Sequence, residues 1–327
     1  MSIRLVFLGT PGFSVPTLQA LLDADDIEIL GVITQPDKPS GRGQKLMPPP
    51  VKILAEEAGL TVHQPKSLRK DDAVMTWLKA QEPDFLVTIA FGQILSQDVL
   101  DIPAIGTVNV HASLLPEYRG ANPIQQAIVD GKLETGLTTM LTDIGVDTGD
   151  MLLKTIVPIA EDDTALDLHE MLSQAGGSLL LETLRGLKAG TLKPQPQNHD
   201  AATHSPKAKK EDSLLDWEQS AQALHNKIRG QQPWPGASSM IIEQPLKIIE
   251  SRKTQESDTG CAPGTILGKS ECGVLVQTGQ GVLALKTVQP AGKKAMPAID
   301  WYNGFKSRVE SVDGLVFQKP KEALPTR

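Results

Sequence analysis

The chain has 327 residues, of which 40% are hydrophobic and 22% charged, and its formal net charge is −7. This length suits two domains, and the composition excludes a chain that is mainly disordered. An acidic protein is not expected to coat nucleic acid nonspecifically, although a local basic surface stays open. No apolar run is long enough to cross a bilayer, and the run at Ile3–Gly9 is too short for a secretory signal. We therefore expect a cytoplasmic protein with no membrane partner.

The N-terminal half of the chain alternates short apolar runs with helical patterns. The runs are rich in Val, Ile and Leu, and they predict strands at Leu5–Leu8, Ile27–Thr34, Phe85–Ala90 and Thr107–Val110. Between them, the spacing predicts helices at Val15–Leu22, Pro50–Ala58, Asp72–Ala80 and Pro123–Asp130. Strands that alternate with helices imply parallel strands joined by right-handed crossovers. The predicted fold is therefore an α/β, doubly wound, Rossmann-like sheet.

Two later runs, Gly136–Thr142 and Met151–Pro158, predict a strand pair around a turn. A long helical pattern follows this pair. Thr164, with Asp167 three residues later, forms a capping pattern for a helix that reaches about Arg185.

The composition changes after this helix. The segment Lys193–His204 contains two prolines and no hydrophobic period, which predicts a linker. A helix near Ser220–Arg229 then precedes alternating runs, which predict strands at Ser238–Ile242, Leu246–Glu250, Thr265–Leu267, Gly273–Gln277 and Val282–Val288. Strands at this spacing favour a small, OB-like β-barrel, a fold that often binds oligonucleotides. The predicted domains are residues 1–190 and 207–327, joined by a linker at 191–206.

Two features of the sequence argue against common cofactor chemistry. The turn Gly9–Gly12 after the first strand lacks the G-x-G-x-x-G pattern, and no acidic residue follows the second strand. This counts against a dinucleotide-dependent dehydrogenase. The only cysteines, Cys261 and Cys272, match no zinc or redox spacing, so we expect two reduced structural thiols.

Asn109 and His111 end the fourth predicted strand. Side chains two residues apart share one face of a strand, and the carboxyl end is where open α/β sheets hold ligands. An amide and an imidazole directed at one point suit a developing oxyanion. By themselves, the two residues equally fit a turn asparagine and a buried histidine with satisfied hydrogen bonds.

Two further segments carry polar residues and glycines. Ser113–Ile124 is a loop that leads into a helix, with Pro123 suited to the first turn. Asp143–Asp150 is a glycine-bearing turn with three carboxylates. That turn fits a polar hairpin or a metal loop, but calcium loops need ligands at a longer, regular spacing, so no metal is expected.

Together these segments resemble the 10-formyltetrahydrofolate-dependent formyltransferases. The shared motifs are N-x-H at Asn109–His111, S-L-L-P at Ser113–Pro116, R-G-x-x-P at Arg119–Pro123 and D-x-G-x-D-T-G at Asp143–Gly149. Similarity to the branch whose acceptor is initiator methionyl-tRNA extends to Thr34–Leu46, Lys209–Glu211, Asp216–Trp217, Pro233–Pro235, Pro263–Leu267 and Gln289–Lys294. The resemblance runs from about Ile3 to about Met296. It departs at Glu117 and Asn122, which replace a basic and a small residue beside the folate-binding stretch.

The resemblance implies a site for formyl transfer with 10-formyltetrahydrofolate as co-substrate. Asn109 and His111 would bind the formyl oxygen. Asp147 would orient His111 and help to move a proton from the attacking amine to the leaving folate nitrogen. The folate would lie along one loop and against one apolar wall, formed by Ser113, Leu114, Leu115 and Pro116 and by Phe91, Gly92, Ile94 and Leu95.

The resemblance also implies that the chain binds initiator methionyl-tRNA, for translation initiation, through the second domain and a basic loop. Separately, we expect a monomer, although the sequence does not decide whether the chain forms dimers. Gln35–Pro50 is predicted to be a long exposed loop in which Gly41 and Gly43 flank Arg42, with Lys52 adding positive charge nearby. The residues expected to contact tRNA are Arg42, Lys38, Lys45, Lys207, Lys209, Lys210, Lys293 and Lys294.

Other acceptors and another class of function stay open at this point. A relative that formylates glycinamide ribonucleotide would need only about one domain of roughly 200 residues. An amino sugar nucleotide is a second alternative acceptor. In a different class, the α/β layer would be a nucleotide-binding regulatory module that the barrel tethers to RNA. Consumption of 10-formyltetrahydrofolate in the presence of methionyl initiator tRNA would separate these possibilities.

Overall fold

The computed structural model describes residues 2–40, 43–306, 309 and 314–318. Its backbone divides into two compact units. Unit 1 comprises Met1–Pro123, Glu134–Pro158 and His169–Ser205, and unit 2 comprises Ile124–Leu133, Ile159–Leu168 and Pro206–Arg327.

The first two-thirds of the chain contains eleven of the described strands and six of the described helices. The strands are β1 (Ile3–Gly9), β2 (Ile27–Ile33), β3 (Lys38–Ser40), β4 (Lys45–Met47), β5 (Val62–His63), β6 (Phe85–Ile89), β7 (Gly106–His111), β8 (Arg119–Gly120), β9 (Glu134–Leu141), β10 (Met151–Pro158) and β11 (His204–Ser205). The helices are α1 (Val15–Leu22), α2 (Pro50–Glu57), α3 (Asp72–Ala80), α4 (Gln97–Leu100), α5 (Pro123–Val129) and α6 (Ala165–Lys188). Short 3-10 turns occupy Gly12–Ser14, Leu68–Lys70 and His199–Ala201.

Unit 1 is built on a seven-stranded sheet in the order β10-β9-β7-β6-β1-β2-β5. Strands β5, β2, β1, β6 and β7 run parallel, whereas β9 and β10 are antiparallel to their neighbours. The predicted α/β fold with a mostly parallel sheet is therefore confirmed. All five residues of β6 are buried, as expected for a strand covered on both faces. The chain order reverses beside β1, and open α/β sheets hold ligands at the carboxyl edge of such a point.

Local sequence signals explain several helix starts. Asp71 caps α3 because its carboxylate accepts a hydrogen bond from the N–H of Val74 at 3.1 Å. Thr164 and Asp167 form the predicted reciprocal cap of α6, in which the Thr164 N–H donates to Asp167 Oδ2 at 2.9 Å. The Asp167 N–H donates back to Thr164 Oγ1 at 3.3 Å. Both α3 and α6 therefore begin at the residue that the sequence predicts, because a side chain at each start accepts a hydrogen bond from an N–H group of the first turn.

The segment predicted to be a long loop contains a short hairpin. Strands β3 and β4 pair antiparallel, with Lys38 opposite Met47. The hairpin escaped prediction because the side chains of β4 are all exposed, so no alternation of buried and exposed residues marks it. Gly41 and Arg42 lie outside the described residues. Lys52, expected to add positive charge, instead forms an ion pair with Asp37 at 3.0 Å.

The rest of unit 2 contains a sheet and two helices. Its strands are β12 (Ala237–Ile241), β13 (Gln244–Lys253), β14 (Ile266–Ser270), β15 (Gly273–Gln277), β16 (Val282–Pro290) and β17 (Met296–Pro297). Its helices are α7 (Ala221–Gly230) and α8 (Ala298–Lys306), with a 3-10 turn at Lys210–Ser213. The sheet is antiparallel in the order β12-β13-β16-β15-β14, and β17 pairs with β16. Each of the five predicted runs is a strand.

A segment near the end of the described chain bonds to both edge strands of this sheet. The N–H of Gln318 donates to the Met240 carbonyl on β12 at 2.8 Å, and the N–H of Ile266 on β14 donates to the Leu315 carbonyl at 2.8 Å. Phe317 is buried between these bonds and stacks on Trp217, with ring centroids 4.9 Å apart. The backbone pairing thus continues from one edge strand to the other, while the OB-like character of this sheet stays a prediction.

Candidate active site

Asn109 lies on β7, directly opposite Thr88 of β6. The Thr88 hydroxyl donates to Asn109 Oδ1 at 3.0 Å. This bond occupies the amide acceptor, and Nδ2 forms no hydrogen bond to any described residue. Because Asn109 is only partly buried, its two Nδ2 N–H donors can reach a ligand. An amide held in this way suits an oxygen that carries developing negative charge.

His111 ends β7, and its side chain is 7% exposed. Its Nε2 lies 2.9 Å from the carbonyl oxygen of Tyr118. A carbonyl oxygen can only accept, so Nε2 carries a proton and donates it to Tyr118. The other ring nitrogen, Nδ1, lies 3.6 Å from Asp147 Oδ2, which is longer than a hydrogen bond. Nδ1 is therefore the nitrogen of His111 that can exchange a proton or donate to a ligand.

Asp147 lies in the turn between β9 and β10 with a left-handed backbone, φ +54°. The N–H of Gly120 donates to its Oδ2 at 2.8 Å. Gly149, two residues on, packs so closely that an added Cβ would overlap the Leu141 carbonyl oxygen. A left-handed residue other than glycine is uncommon, and such residues gather at functional sites. The turn thus holds the Asp147 carboxylate beside His111 at the cost of local strain.

The loop that follows β7 is tied down through its backbone. The Thr138 hydroxyl donates to the Ser113 carbonyl at 2.7 Å and accepts from the Leu115 N–H at 3.1 Å. The Lys154 ammonium donates to the Leu115 carbonyl at 2.5 Å, and burial lowers the pKa of this lysine. Ser113 and Leu115 are fully buried, whereas Leu114 and Pro116 are partly exposed. Any ligand of this loop would therefore meet its backbone and the latter two side chains.

The predicted apolar wall divides into a buried and an exposed part. Phe91 and Leu95 belong to the core of unit 1 and pack with residues such as Leu8. Gly92 is exposed, and the Ile94 side chain is 77% exposed. The wall follows β6 directly, and the Asn109 strand is the neighbour of β6. Only Gly92 and Ile94 present a surface that a ligand could cover.

The lysines predicted to contact tRNA lie in both units. Lys38 and Lys45 are exposed on the β3–β4 hairpin of unit 1, with the intervening Arg42 outside the described residues. The remaining lysines are exposed in unit 2, at Lys207, Lys209, Lys210, Lys293 and Lys294. Within the described part of the chain, none of these seven lysines forms an ion pair.

Sequence reasoning missed the groups that orient the predicted residues. Thr88, Tyr118 and Gly120 hold Asn109, His111 and Asp147 respectively, two of them through main-chain atoms. Of these, only Thr88 had a usable signal, because parallel pairing of β6 with β7 brings it opposite Asn109. Main-chain donors and acceptors leave no trace in residue identity.

Neither a cluster of metal ligands nor a membrane-spanning helix occurs among the described residues. The described residues contain no group of three or more His, Cys, Asp or Glu that could hold a metal ion. Among the described helices, none has the length and apolar character to span a membrane. Cys261 and Cys272 are free thiols and are exposed.

Two family models match this chain. Residues 3–184 match the model of the formyl transferases, and residues 207–306 match that of the formyl transferase C-terminal domain. Among solved structures, the N-formyltransferase from Helicobacter canadensis, in complex with folinic acid and dTDP-3-aminofucose, superposes with a TM-score of 0.63 at 20% identity over 86% of this chain and 99% of that one. HypX from Aquifex aeolicus, in complex with tetrahydrofolic acid, gives 0.60 at 18% identity over 97% of this chain and 51% of that one. At these identities the structures show a shared fold.

Curated relatives are considerably more similar in sequence. The methionyl-tRNA formyltransferase of Trichlorobacter lovleyi is 48% identical over 92% of this chain and 94% of its own length. That of Moorella thermoacetica is 46% identical over 93% of this chain and 96% of its own length. The chain is therefore an enzyme that belongs to the formyl transferase family, and its relatives at nearly half identity are named methionyl-tRNA formyltransferases.

Proposed function

We propose that this enzyme transfers the formyl group of 10-formyltetrahydrofolate to the amino group of methionyl initiator tRNA. The observation that supports the chemistry is the position of His111 Nδ1, 3.6 Å from the Asp147 carboxylate at the carboxyl end of β7, with Asn109 two residues earlier on the same strand. The names of relatives at 46–48% identity over more than nine-tenths of the chain support the tRNA acceptor. No nucleophilic side chain is required, because the amine of the acceptor is the nucleophile.

In this mechanism the amine nitrogen attacks the formyl carbon, and the formyl oxygen becomes an oxyanion. Asn109 Nδ2 and a protonated His111 Nδ1 donate hydrogen bonds to that oxygen. The bonds from Thr88 to Asn109 and from His111 Nε2 to Tyr118 fix both donors before the reaction. One donor of this kind typically contributes about 10²–10³ in kcat, because it is already oriented when the charge develops.

Collapse of the intermediate breaks the bond between the formyl carbon and the folate nitrogen. The attacking nitrogen must lose one proton and the leaving nitrogen must gain one. The Gly120 N–H occupies Asp147 Oδ2, whereas Oδ1 has no hydrogen bond to any described residue. Asp147 Oδ1 is therefore the oxygen we assign to take the proton from the amine and return it, directly or through water, to the leaving nitrogen.

The residues present fit a flat heteroaromatic folate ring. The exposed side chain of Ile94 follows β6, which ends beside the Asn109 strand. Covering such an apolar side chain favours binding by roughly 25 cal/mol per Å² of surface removed from water. In our proposal Ile94 and Gly92 contact the pterin, and the Ser113–Pro116 backbone lines the same site.

Two groups of lysines in unit 2 are joined by a row of neighbouring residues across the sheet. The Ser213 hydroxyl, three residues after Lys210 and beyond Glu211 and Asp212, lies 3.2 Å from that of Ser238 on β12. Ser238 lies opposite Lys247 on β13, which lies opposite Gln289 on β16. The Gln289 side chain donates to the Lys293 carbonyl at 2.9 Å. Directly opposite residues share a sheet face, so the exposed Lys247 lies between Ser238 and Gln289 on one face of the sheet.

We infer that this row, with Lys247 at its centre, contacts the tRNA backbone. Strands are spaced about 4.8 Å apart, so the row from Ser238 to Gln289 spans roughly 10 Å of surface. Lys247 forms no ion pair with a described residue, so its charge is available to attract a phosphate. Lys247 is a residue that sequence analysis did not identify.

The catalytic assignment is tested with Asn109→Ala, using Asn303→Ala on α8 as the matched control. Formylation of methionyl initiator tRNA, with 10-formyltetrahydrofolate in excess, should lose about 10²–10³ in kcat for Asn109→Ala and nothing for the control. A parallel reaction with a dTDP-amino sugar tests the acceptor. Wild-type turnover on that sugar but not on the tRNA would contradict the proposed acceptor, and wild-type kcat in Asn109→Ala would contradict the site.

The tRNA surface is tested by the salt dependence of kcat/KM. Lys247→Ala should lower kcat/KM for tRNA and reduce the magnitude of the slope against log salt by about 1, as for one lost phosphate contact. Lys269→Ala, which removes the same charge elsewhere on the sheet, should leave that slope unchanged. Arg42→Ala should lower kcat/KM by an equivalent of roughly 1–3 kcal/mol if it contacts a base edge. Unchanged values in Lys247→Ala would remove this surface from the proposal.

A further inference from the structure

Gln197 lies in the stretch between the two matched family models, which end at residue 184 and begin at residue 207. This stretch has the composition of a linker, yet Gln197 is only 5% exposed. Its backbone neighbours also pair with unit 1. Gln195 exchanges two main-chain hydrogen bonds with Met151, both 2.8 Å long, and β11 pairs with β8. Residues 195–205, at the end of the predicted linker, therefore pair with and belong to unit 1.

The Gln197 amide uses both of its ends. Its Nε2 donates to the main-chain carbonyls of Asp147 and Gly149, at 2.9 and 2.7 Å. Its Oε1 accepts from Nε and Nη2 of Arg119, at 3.0 and 2.7 Å. A buried polar group with this many partners holds its neighbours in one arrangement. The neighbours here are the two carbonyls that flank the turn after Asp147.

Arg119 connects this amide to the carboxylate of Asp147. The arginine is only 4% exposed and has no carboxylate within ion-pair distance among the described residues. The next residue, Gly120, donates its N–H to Asp147 Oδ2. Gly120 has φ +110°, and a Cβ at this position would approach the Ser205 carbonyl oxygen to 2.7 Å. Asp147 is thus held twice, at its carboxylate by Gly120 and at its main chain by Gln197.

We propose that Gln197 is a positioning residue for Asp147, and that its amide fixes the left-handed turn that brings the carboxylate to His111. The left-handed conformation of Asp147 needs such support, because it is disfavoured for a residue with a Cβ. Without the two carbonyl bonds, Asp147 can relax and carry Oδ1 away from the reacting nitrogens. This inference rests on the proposed role of Asp147.

Two substitutions distinguish the contribution of the Gln197 amide donors from that of its acceptor oxygen. Gln197→Glu keeps an acceptor for Arg119 but removes the donors to the two carbonyls, and Gln197→Met removes all four bonds at similar volume. Both should lower kcat for formyl transfer by about 10²-fold, since a misplacement near 1 Å can cost this much, while KM for folate stays unchanged. The matched controls Gln195→Glu and Gln195→Met alter an exposed side chain of the same stretch and should keep wild-type kcat.

A double variant distinguishes positioning from general damage. Once Asp147→Asn has removed the carboxylate, Gln197 has nothing catalytic to position. The double variant Asp147→Asn with Gln197→Met should therefore have the same kcat as Asp147→Asn alone. Losses that multiply would assign Gln197 a merely structural role and overturn the inference.

The same set of variants separates failure of this inference from failure of the proposed function. If Asp147→Asn keeps wild-type kcat, the proposed function of that residue is wrong. If Asp147→Asn loses activity while Gln197→Glu keeps both wild-type kcat and its pH profile, the positioning role is wrong. The Glu variant retains the Arg119 contact, so it serves if the Met variant does not fold.

Discussion

Each unit contains one buried histidine whose Nε2 faces a main-chain carbonyl. In unit 1, His111 Nε2 donates to the Tyr118 carbonyl at 2.9 Å. In unit 2, His225 Nε2 donates to the Glu161 carbonyl at 3.2 Å. The side chains are 7% and 4% exposed. His225 Nε2 also lies 3.5 Å from Asp162 Oδ1, so Nε2 contacts and burial alone do not single out His111 as the functional histidine.

The difference between the two histidines lies at Nδ1. In His225 this nitrogen accepts from the Ser251 hydroxyl at 3.1 Å, so the neutral ring has a partner at both ends. In His111 it faces Asp147 at 3.6 Å, and that carboxylate is already held by Gly120. A ring with two satisfied nitrogens contributes to structure, whereas one with an uncommitted nitrogen beside a held carboxylate is available for chemistry.

The largest expected contrast comes from the same substitution in both places. His111→Gln should lower kcat for formyl transfer by about 10²–10³, because the oxyanion loses a donor at Nδ1. His225→Gln should keep the wild-type kcat, because the His225 side chain takes part in no step of the proposed mechanism. Both variants are compared by kcat at saturating substrates. An inactive His225→Gln protein with a wild-type unfolding midpoint would abolish the distinction.

A smaller loss of activity is expected when an orienting hydroxyl is removed from unit 1. Thr88→Val leaves the Asn109 amide without the bond to Oδ1, so the amide can rotate away from the formyl oxygen. The net value of such a bond, about 1 kcal/mol, corresponds to a fall in kcat of about fivefold. Thr139→Val, on β9, is the control, since Thr139 bonds to Thr183 and Leu153. Equal kcat in the Thr88 variant and the wild type would remove Thr88 from the site.

The matching hydroxyl in unit 2 should affect stability only. Ser251→Ala leaves His225 Nδ1 buried without a donor, which costs about 1–3 kcal/mol of unfolding free energy. Urea unfolding followed by tryptophan fluorescence reports mainly on unit 2, where Trp217, Trp234 and Trp301 lie. The kcat of this variant should equal that of the wild type. A loss of kcat without a loss of stability would give His225 a role that its geometry does not indicate.

The smallest effect concerns the pH dependence of unit 2. Burial lowers the pKa of His225, with smaller effects from the Glu161 carbonyl, Arg229, Asp162 and Lys253. The unfolded chain then binds more protons than the folded one below about pH 6.5, so stability falls as the pH decreases through this range. The slope cannot exceed about 1.4 kcal/mol per pH unit for one group. His225→Gln should reduce the slope of the unfolding free energy against pH between about pH 7 and pH 5. A slope equal to that of the wild type would contradict this prediction.

Local patterns in the sequence were sufficient to predict most elements of both units. The helices α1 and α3 and the strand β10 have the predicted bounds, because apolar spacing reports burial residue by residue. The Thr164–Asp167 cap forms as expected, since its partners are three residues apart. Asn109 and His111 lie at the end of β7, as the apolar run before them predicts, and their spacing of two residues places them on one face of that strand.

What depended on tertiary structure is the orientation of these groups and the extent of each unit. The sequence could not show that Phe317 packs in the core of unit 2, because the partners of that residue lie far away along the chain. Nor could it show that residues 195–205 complete unit 1, so that an N-terminal fragment ending near Gly190 would lack Gln197.

The sequence by itself determined the two-part α/β and β architecture, the positions of the strands and the residue types of the site. The tertiary structure decided that Thr88 orients Asn109, that Tyr118 occupies Nε2 of His111, and that Asp147 is held from its main chain. The reason is physical. Periodicity and caps arise from contacts within a few residues, whereas these bonds join groups up to fifty residues apart, and several use main-chain atoms that every residue possesses.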